Sequence, residues 1–311
     1  METKTVVAIK RPEGQLKHTV REIRLLKYLR NVDNVVRLHE AFRDGPAVDD
    51  VFLVMEFVES NLNDLIFKKG KVLGLVEVKS ITHQLLLALQ YLHRCNVVHR
   101  DLKPANVLIS MAGGTPKVKL CDFGHGRFKP QNSLAMSNLL ELTTLFYIPP
   151  EGILSKRMYE TSVDMWSLGC IFVEMITHKA LFCANTRNPK ISLLNKMVEV
   201  CGRPANEELN YPESHYLLHV KSLPRAPPQL EILLKEVNVD VLDLAKSFLQ
   251  FVTERRITAE EALKHPFFSD CPHPIDNNQY PLEPFYDPQE DDTKTWEDLL
   301  QQELDFFKNA Q

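Results

Sequence analysis

Long apolar runs are missing from this chain. Its most hydrophobic stretch, MWSLGCIFVEMI, carries Glu174 and is too short to span a bilayer. The first residues mix Glu2, Lys4 and Lys10 with short apolar stretches, which is no signal peptide, so the cytoplasm or nucleus is the expected compartment and no membrane partner is expected. Excess charge of one sign is missing too: 37 basic against 41 acidic side chains leave a net charge of -4, and nothing in that balance advertises nucleic acid. None of the six cysteines stands in C-x-x-C spacing, which argues against a zinc site or a disulfide framework; they read as reduced, mostly buried thiols. Internal repeats and low-complexity tracts are absent.

What is present is an ordinary soluble composition, 44% apolar and 25% charged, in a 311-residue chain. That length exceeds what one hydrophobic core usually serves, and two lobes with an appendage are expected. TVVAI at 5–9 is β-branched and continuous, as a buried strand would be. Val20, Ile23, Leu26 and Leu29 then recur at helical spacing, and VVRL at 35–38 and VFLVMEF at 51–57 read as strands. From Val78 a helical stripe begins, and helices dominate to about residue 268, interrupted by one hairpin, VLIS and KVKLC around Gly113-Gly114. The last forty residues, rich in Pro, Asp and Glu, read as an extended strap ending in an amphipathic helix, WEDLLQQELDFF. The expected fold is α+β and bilobal: a small β-rich N-lobe over 1–57, a large mainly helical C-lobe over 58–268, and an extension over 269–311 packing back on the lobes.

The chemistry is concentrated in VVHRDLKPANVLIS, 97–110, and LCDFG, 120–124, which set Asp101 and Asp122 on either side of the hairpin. With VAIK at 7–10, PPE at 149–151 and DMWSLGC at 164–170, the ordered set resembles the eukaryotic protein kinases over almost the whole chain. The resemblance implies ATP and Mg²⁺ as cofactors and gives each residue a role in phosphoryl transfer, where a protein mainly positions reactants and neutralises charge. Asp101 accepts the proton of the substrate hydroxyl, Lys103 steadies the transferring phosphoryl group, and Asn106 and Asp122 are the metal ligands. Lys10 holds the α- and β-phosphates and is fixed by Glu22, although the loop between those two is shorter than usual. The adenine lies between Ala8 and Leu108, against the backbone of Glu56 and Val58 with Met55 behind, and Asn61 and Asp64 meet the ribose. Leu26, Leu38, His99 and Phe123 form a stack between the lobes, Glu151 pairs with Arg256, Asp164 caps the catalytic loop, and Thr144 bridges the catalytic Asp and Lys.

Lys103 favours serine/threonine specificity. VEVCGRP, SLPRAPP and RITAEEALKHPFF look like the C-lobe shared by mitogen-activated and cyclin-dependent kinases; the C-terminal strap is similar to the first type and ELTTLFYIPPE to the second, with a lean toward the mitogen-activated type. The departures also matter. Leu139, Leu140 and Glu141 stand where a phosphorylated T-x-Y would be, leaving Ser133 and Ser137 as candidates for the grip of Arg100 and Arg127, or an unmodified loop. Ile148 replaces an arginine that supports proline-directed choice, and DFGHGR replaces DFGLAR. An acidic docking groove near Asp276 and Glu283 is set against a plain solvated loop.

No G-x-G-x-x-G occurs before Val7, and six residues cannot build the two strands that carry it. Either Met1 lies inside a longer reading frame, the favoured reading, or the chain binds nucleotide poorly. The expected function is a protein serine/threonine kinase, monomeric, acting on protein substrates and answering to an upstream activating kinase or docking partner. The alternative is a catalytically impaired kinase-like scaffold that holds signalling partners.

Overall fold

The alternation of β-branched runs with helical stripes is realised in a computed structural model that describes residues 5–45, 50–68, 72–129, 145–155, 160–184, 186–272 and 293–309. Strand β1 (Val7–Lys10) is not the buried strand expected, since Val7 and Ile9 are exposed at the sheet edge. It leads into helix α1 (Leu16–Tyr28), which buries Val20, Ile23 and Leu26 of the apolar spacing with Leu25 beside them, and Leu29 is buried just past its end. Strands β2 (Leu38–Arg43) and β3 (Val51–Glu56) complete an antiparallel sheet of order β1-β3-β2, so β1 lies at an edge of the described sheet. Its register places Ala8 opposite Met55 and Lys10 opposite Leu53.

The expected strand at 35–38 is a correction. Only Leu38 belongs to β2. Val35 instead forms a parallel bridge to Leu120, Val36 N donates to Leu120 O, and Leu120 N donates to Asn34 O. The two valines are buried against the other lobe, so this segment ties the two sheets together. An apolar β-branched pair states that it is buried but not which sheet takes it.

Strand β4 (Ser60–Asn61) continues from β3 and pairs with β6 (Val107–Ser110), which pairs in turn with β7 (Lys117–Leu120). The β6–β7 connection turns through Gly113 and Gly114, both at φ +83°, a conformation that costs glycine little and other residues much. Helix α2 (Leu75–Arg94) runs beneath, and β5 (Val97–Val98) pairs with β8 (Arg127–Phe128) across the catalytic segment. The large lobe is completed by α3 (Pro150–Leu154), α4 (Ser162–Thr177), α5 (Pro189–Cys201), α6 (His215–Ser222), α7 (Leu230–Leu233), α8 (Val239–Phe248) and α9 (Ala259–Leu263). Helix α4 is buried on every side from Val163 to Met175, apolar but for Asp164, Ser167 and Glu174, which are hydrogen-bonded, and the large lobe is built around it. The result is a bilobal molecule with a small β-rich lobe and a large mainly helical one.

The terminal amphipathic segment is helix α10 (Thr293–Asn309), which returns to the small lobe and packs on α1 and β2. Trp296, Leu300, Leu304 and Phe307 are its buried face. All six cysteines are free, but the expectation that most are buried needs correcting: Cys95 and Cys170 are, Cys121, Cys201 and Cys271 are half-buried, and Cys183 is exposed. None of the described helices is long and apolar enough to cross a membrane.

Candidate active site

The segment from His99 to Lys103 is non-regular, ahead of a single helical turn at Pro104–Asn106, and a loop of this kind has backbone donors that must be satisfied. Asp164, fully buried on α4, does so: its Oδ2 accepts from His99 N at 2.9 Å and its Oδ1 from Arg100 N at 2.9 Å. His93 Nε2 lies 3.0 Å from Oδ2. Burial alone would raise the Asp164 pKa, but His93 and the donated N–H bonds outweigh it and hold the carboxyl below its ordinary value. Arg100 sits at φ 70° and Asp122 at φ 65°, left-handed conformations that non-glycine residues adopt at a cost.

Asp101 is held by its own loop. Its Oδ2 accepts from Lys103 Nζ at 2.8 Å and from Asn106 Nδ2 at 2.9 Å, and its carbonyl accepts a second bond from Asn106 Nδ2 at 2.8 Å. With the amide nitrogen of Asn106 spent on Asp101, its oxygen is the atom left for a cation. Burial raises the Asp101 pKa, only partly offset by Lys103, which moves this carboxylate in the direction that a general base needs.

The second cluster comes from three distant segments. Lys10 Nζ lies 2.7 and 2.8 Å from the two Glu22 oxygens and 3.0 Å from Asp122 Oδ1. The short loop between Lys10 and Glu22 therefore does not prevent their pairing. Burial pulls the Lys10 pKa down, but Glu22 and Asp122 outweigh it, and Lys10 stays charged well above the ordinary lysine value. Burial likewise works against the Asp122 carboxylate, yet Lys10 brings its pKa below normal. Cys121 N donates to Asn106 O at 3.0 Å, which sets Asp122 beside Asn106. Phe123 is buried beneath α1, its ring 4.8 Å from that of His99. Leu26 is buried and Leu38 half-buried in the same core. A cleft of about 500 Å³ opens onto Lys10, Glu22 and Asp122.

A family model described as "protein kinase domain" matches residues 1–268. The chain belongs to the protein kinase family. It is 35% identical over 290 residues to extracellular signal-regulated kinase 2 of Dictyostelium discoideum, covering 89% of this chain and 76% of that one. Against mitogen-activated protein kinase 15 of Mus musculus it is 37% identical over 87% of its own length, and it spans 50% of that relative. It is also 35% identical to cyclin-dependent kinase 4 of Xenopus laevis, over 84% of this chain and 80% of the relative. The kinase group that holds both the mitogen-activated and the cyclin-dependent branches is thereby shown.

The remaining candidates are placed by the strands and turns that carry them. Ala8 and Met55 are cross-strand partners, and Leu108 pairs with Asn61. Glu56 N is bonded to Arg37 O at 3.0 Å, while its carboxylate accepts from Arg37 N at 2.7 Å and pairs with Lys119 at 2.8 Å. Val58 is half-buried beyond it. Asn61 Oδ1 accepts from Asp64 N at 2.9 Å, and Asp64 pairs with Lys68 at 2.9 Å, so both proposed ribose contacts also serve the local turn. Glu151 and Arg256 form the expected buried pair, bidentate at 2.6 and 3.0 Å. Arg127, expected to grip a phosphate, donates to the carbonyls of Gly126 at 2.7 Å and Gly124 at 3.4 Å. Thr144, Ser133, Ser137, the segment Leu139 to Glu141, and Asp276 and Glu283 of the strap lie outside the described residues.

Sequence reasoning missed His93, whose ring supports Asp164 from α2, and the contact of Lys10 with Asp122. A histidine on the last turn of an apolar helix carries no signal of such a partner. Among the described residues no group of three or more His, Cys, Asp or Glu side chains could hold a metal ion by itself. The donor set of Asp122 and Asn106 still fits Mg²⁺, a hard cation that proteins commonly hold by one or two side-chain oxygens with phosphate and water filling the rest.

Proposed function

We propose that this chain is a protein serine/threonine kinase that transfers the γ-phosphate of ATP to hydroxyl groups of protein substrates. The observation that carries the reading is the joint set of Asp101, Lys103 and Asn106 in one bonded loop, beside Lys10, Glu22 and Asp122 in another. Asp101 receives the proton as the substrate oxygen bonds to the γ-phosphorus and the bond from phosphorus to the β–γ bridging oxygen breaks. Lys103 faces the transferring group and Lys10 the α- and β-phosphates, each a cation placed against negative charge. Mg²⁺, held by Asp122 and Asn106, would supply further charge neutralisation at the phosphates. Ala8, Met55 and Leu108 supply an apolar slot for the base, with the backbone at Glu56 and Val58 beside it and Asn61 and Asp64 near the ribose.

Lys103 supports choice of serine and threonine over tyrosine. Ile148 is buried, so the side chain at this position supports the segment from within and is not turned toward a peptide. Intracellular protein substrates suit this chemistry.

The test is incorporation of labelled phosphate from Mg·ATP into a general basic protein. Asp101→Asn is expected to lower turnover by roughly 10²- to 10⁴-fold, the usual contribution of a positioned acid or base, with ATP affinity unchanged. Incorporation by Asp101→Asn at the rate of the unaltered chain would overturn the proposal.

A further inference from the structure

Helix α4 holds two segments with one face. Asp164 takes the backbone donors of His99 and Arg100, in the loop that carries Asp101. Three residues on, Ser167 Oγ donates to Tyr147 O at 3.0 Å, and Glu174 accepts from Tyr147 OH at 2.9 Å. Positions three apart share a helix face and stand about 4.5 Å apart along its axis. The single turn Leu145–Tyr147, which leads into PPE, is therefore fastened about one helical turn from the anchor of the Asp101 loop.

An open groove of about 610 Å³ borders this turn. Leu145, Phe146, Ala184 and Pro189 give it an apolar lining, and the first three are half-buried against the core, so its floor is supported. Thr186 and Arg187 are its polar side chains, and Arg187 is the single charge among them. Arg187 is exposed, and no carboxylate among the described residues pairs with it. Lys190, one turn further on and 6.0 Å from the Tyr216 ring, adds positive charge on the same side, as does the N-terminal end of α5. Ile148 is buried and brings nothing to the surface of the groove.

We infer that this groove selects protein substrates by an acidic side chain placed a few residues from the acceptor hydroxyl, with Arg187 as the residue that reads it. The inference rests on the kinase reading above and adds a substrate class to it. A guanidinium presents a planar fork that matches a carboxylate, and here its donors are not spent on another described carboxylate. An extended peptide advances about 3.3–3.6 Å per residue, so one short segment carries a hydroxyl to Asp101 and a carboxylate to Arg187. Leu145, Phe146 and Pro189 are the apolar bed for the residues between.

The test uses the full chain and a synthetic peptide with one serine among alanine and glycine, together with versions that carry a single glutamate at successive positions on either side. Binding is read by fluorescence anisotropy without nucleotide, and phosphorylation with Mg·ATP. At particular positions glutamate is expected to tighten binding roughly 2- to 5-fold over alanine, the range of an exposed ion pair, and to lose that advantage at high salt. Arg187→Ala should abolish the advantage, and Arg187→Glu should transfer it to lysine at the same position. Lys235→Ala, at an exposed lysine outside the groove, should retain it. Equal binding of the glutamate and alanine peptides, or a glutamate preference that survives Arg187→Glu, would overturn the inference. A preference in binding with no phosphorylation upholds the groove and contradicts the kinase reading, whereas phosphorylation with no preference contradicts the groove alone.

Discussion

The loop that carries Asp101 and helix α1 both lie against the segment that carries Asp122, yet they are held in opposite ways. The loop is fastened from within: Asp164 of the buried α4 takes two of its backbone donors, and Asn106 and Lys103 close on Asp101. Helix α1 is fastened from outside, by Lys10 and the His18 bond to Gly124 on one side and by α10 on the other. There Arg21 lies over the Trp296 ring at 4.7 Å, Lys27 over that of Phe306 at 3.7 Å, and Glu303 pairs with Lys27 and, at 3.5 Å, with Arg24. The difference teaches which part of the site rests on the buried core and which on surface contacts. Asp101 stands on a support built from the buried α4, whereas the Lys10–Glu22 ion pair rests on a helix held by contacts at its surface.

That comparison can be broken first at its buried end. Glu151→Ala leaves Arg256 buried without its carboxylate, and loss of one partner of a buried pair costs about 3–5 kcal/mol. A large drop in denaturation midpoint is expected, with the whole large lobe affected; an unchanged midpoint would show that the lobe does not rest on this pair. The surface-held end should give a smaller and more local response. Trp296→Ala should loosen α10 at a cost of up to about 3 kcal/mol, less than a central core truncation because one surface helix can detach alone. Amide exchange should quicken in 293–309 and in Leu16–Tyr28 while the catalytic loop stays protected. Equal acceleration in both regions would erase the distinction.

The smallest effect concerns a buried acid of the support. Glu174 on α4 accepts from Tyr147 OH at 2.9 Å and from Leu181 N at 3.0 Å, and burial raises its pKa to about 7. The folded chain keeps this proton at pH values where the unfolded chain has lost it. Its contribution is therefore fully present below about 4.5, declines as pH rises, and is lost above about 7. Glu174→Gln should be more stable than the unaltered chain at pH 8, by on the order of 1–2 kcal/mol, with the gap closing toward pH 5. A gap independent of pH would contradict the assignment of the proton.

How far the sequence could be read follows the same division. Asp101, Lys103 and Asn106 were legible because six adjacent positions fix them in one loop, and their bonds are local. Lys10 and Glu22 were legible by residue type, although their closeness depended on a loop whose length argued against it. The His18 contact with His125 was not legible, because 107 residues separate them and nothing local to either states where the other lies. Val35 and Val36 were rightly apolar and wrongly placed, since burial against β7 and burial within the first sheet leave the same pattern. The grip of α10 on α1 was half legible: WEDLLQQELDFF showed an apolar face and the resemblance turned the extension back onto the lobes, but neither singled out α1.

The central claim is that Asp122 and Asn106 converge on a divalent cation carried by a nucleotide. Calorimetry of ATP binding with and without Mg²⁺, on the unaltered chain and on Asp122→Ala, tests it most directly. The account predicts binding that requires Mg²⁺ and is lost or greatly weakened in the variant, and ATP affinity that is the same in both chains and indifferent to Mg²⁺ would contradict it.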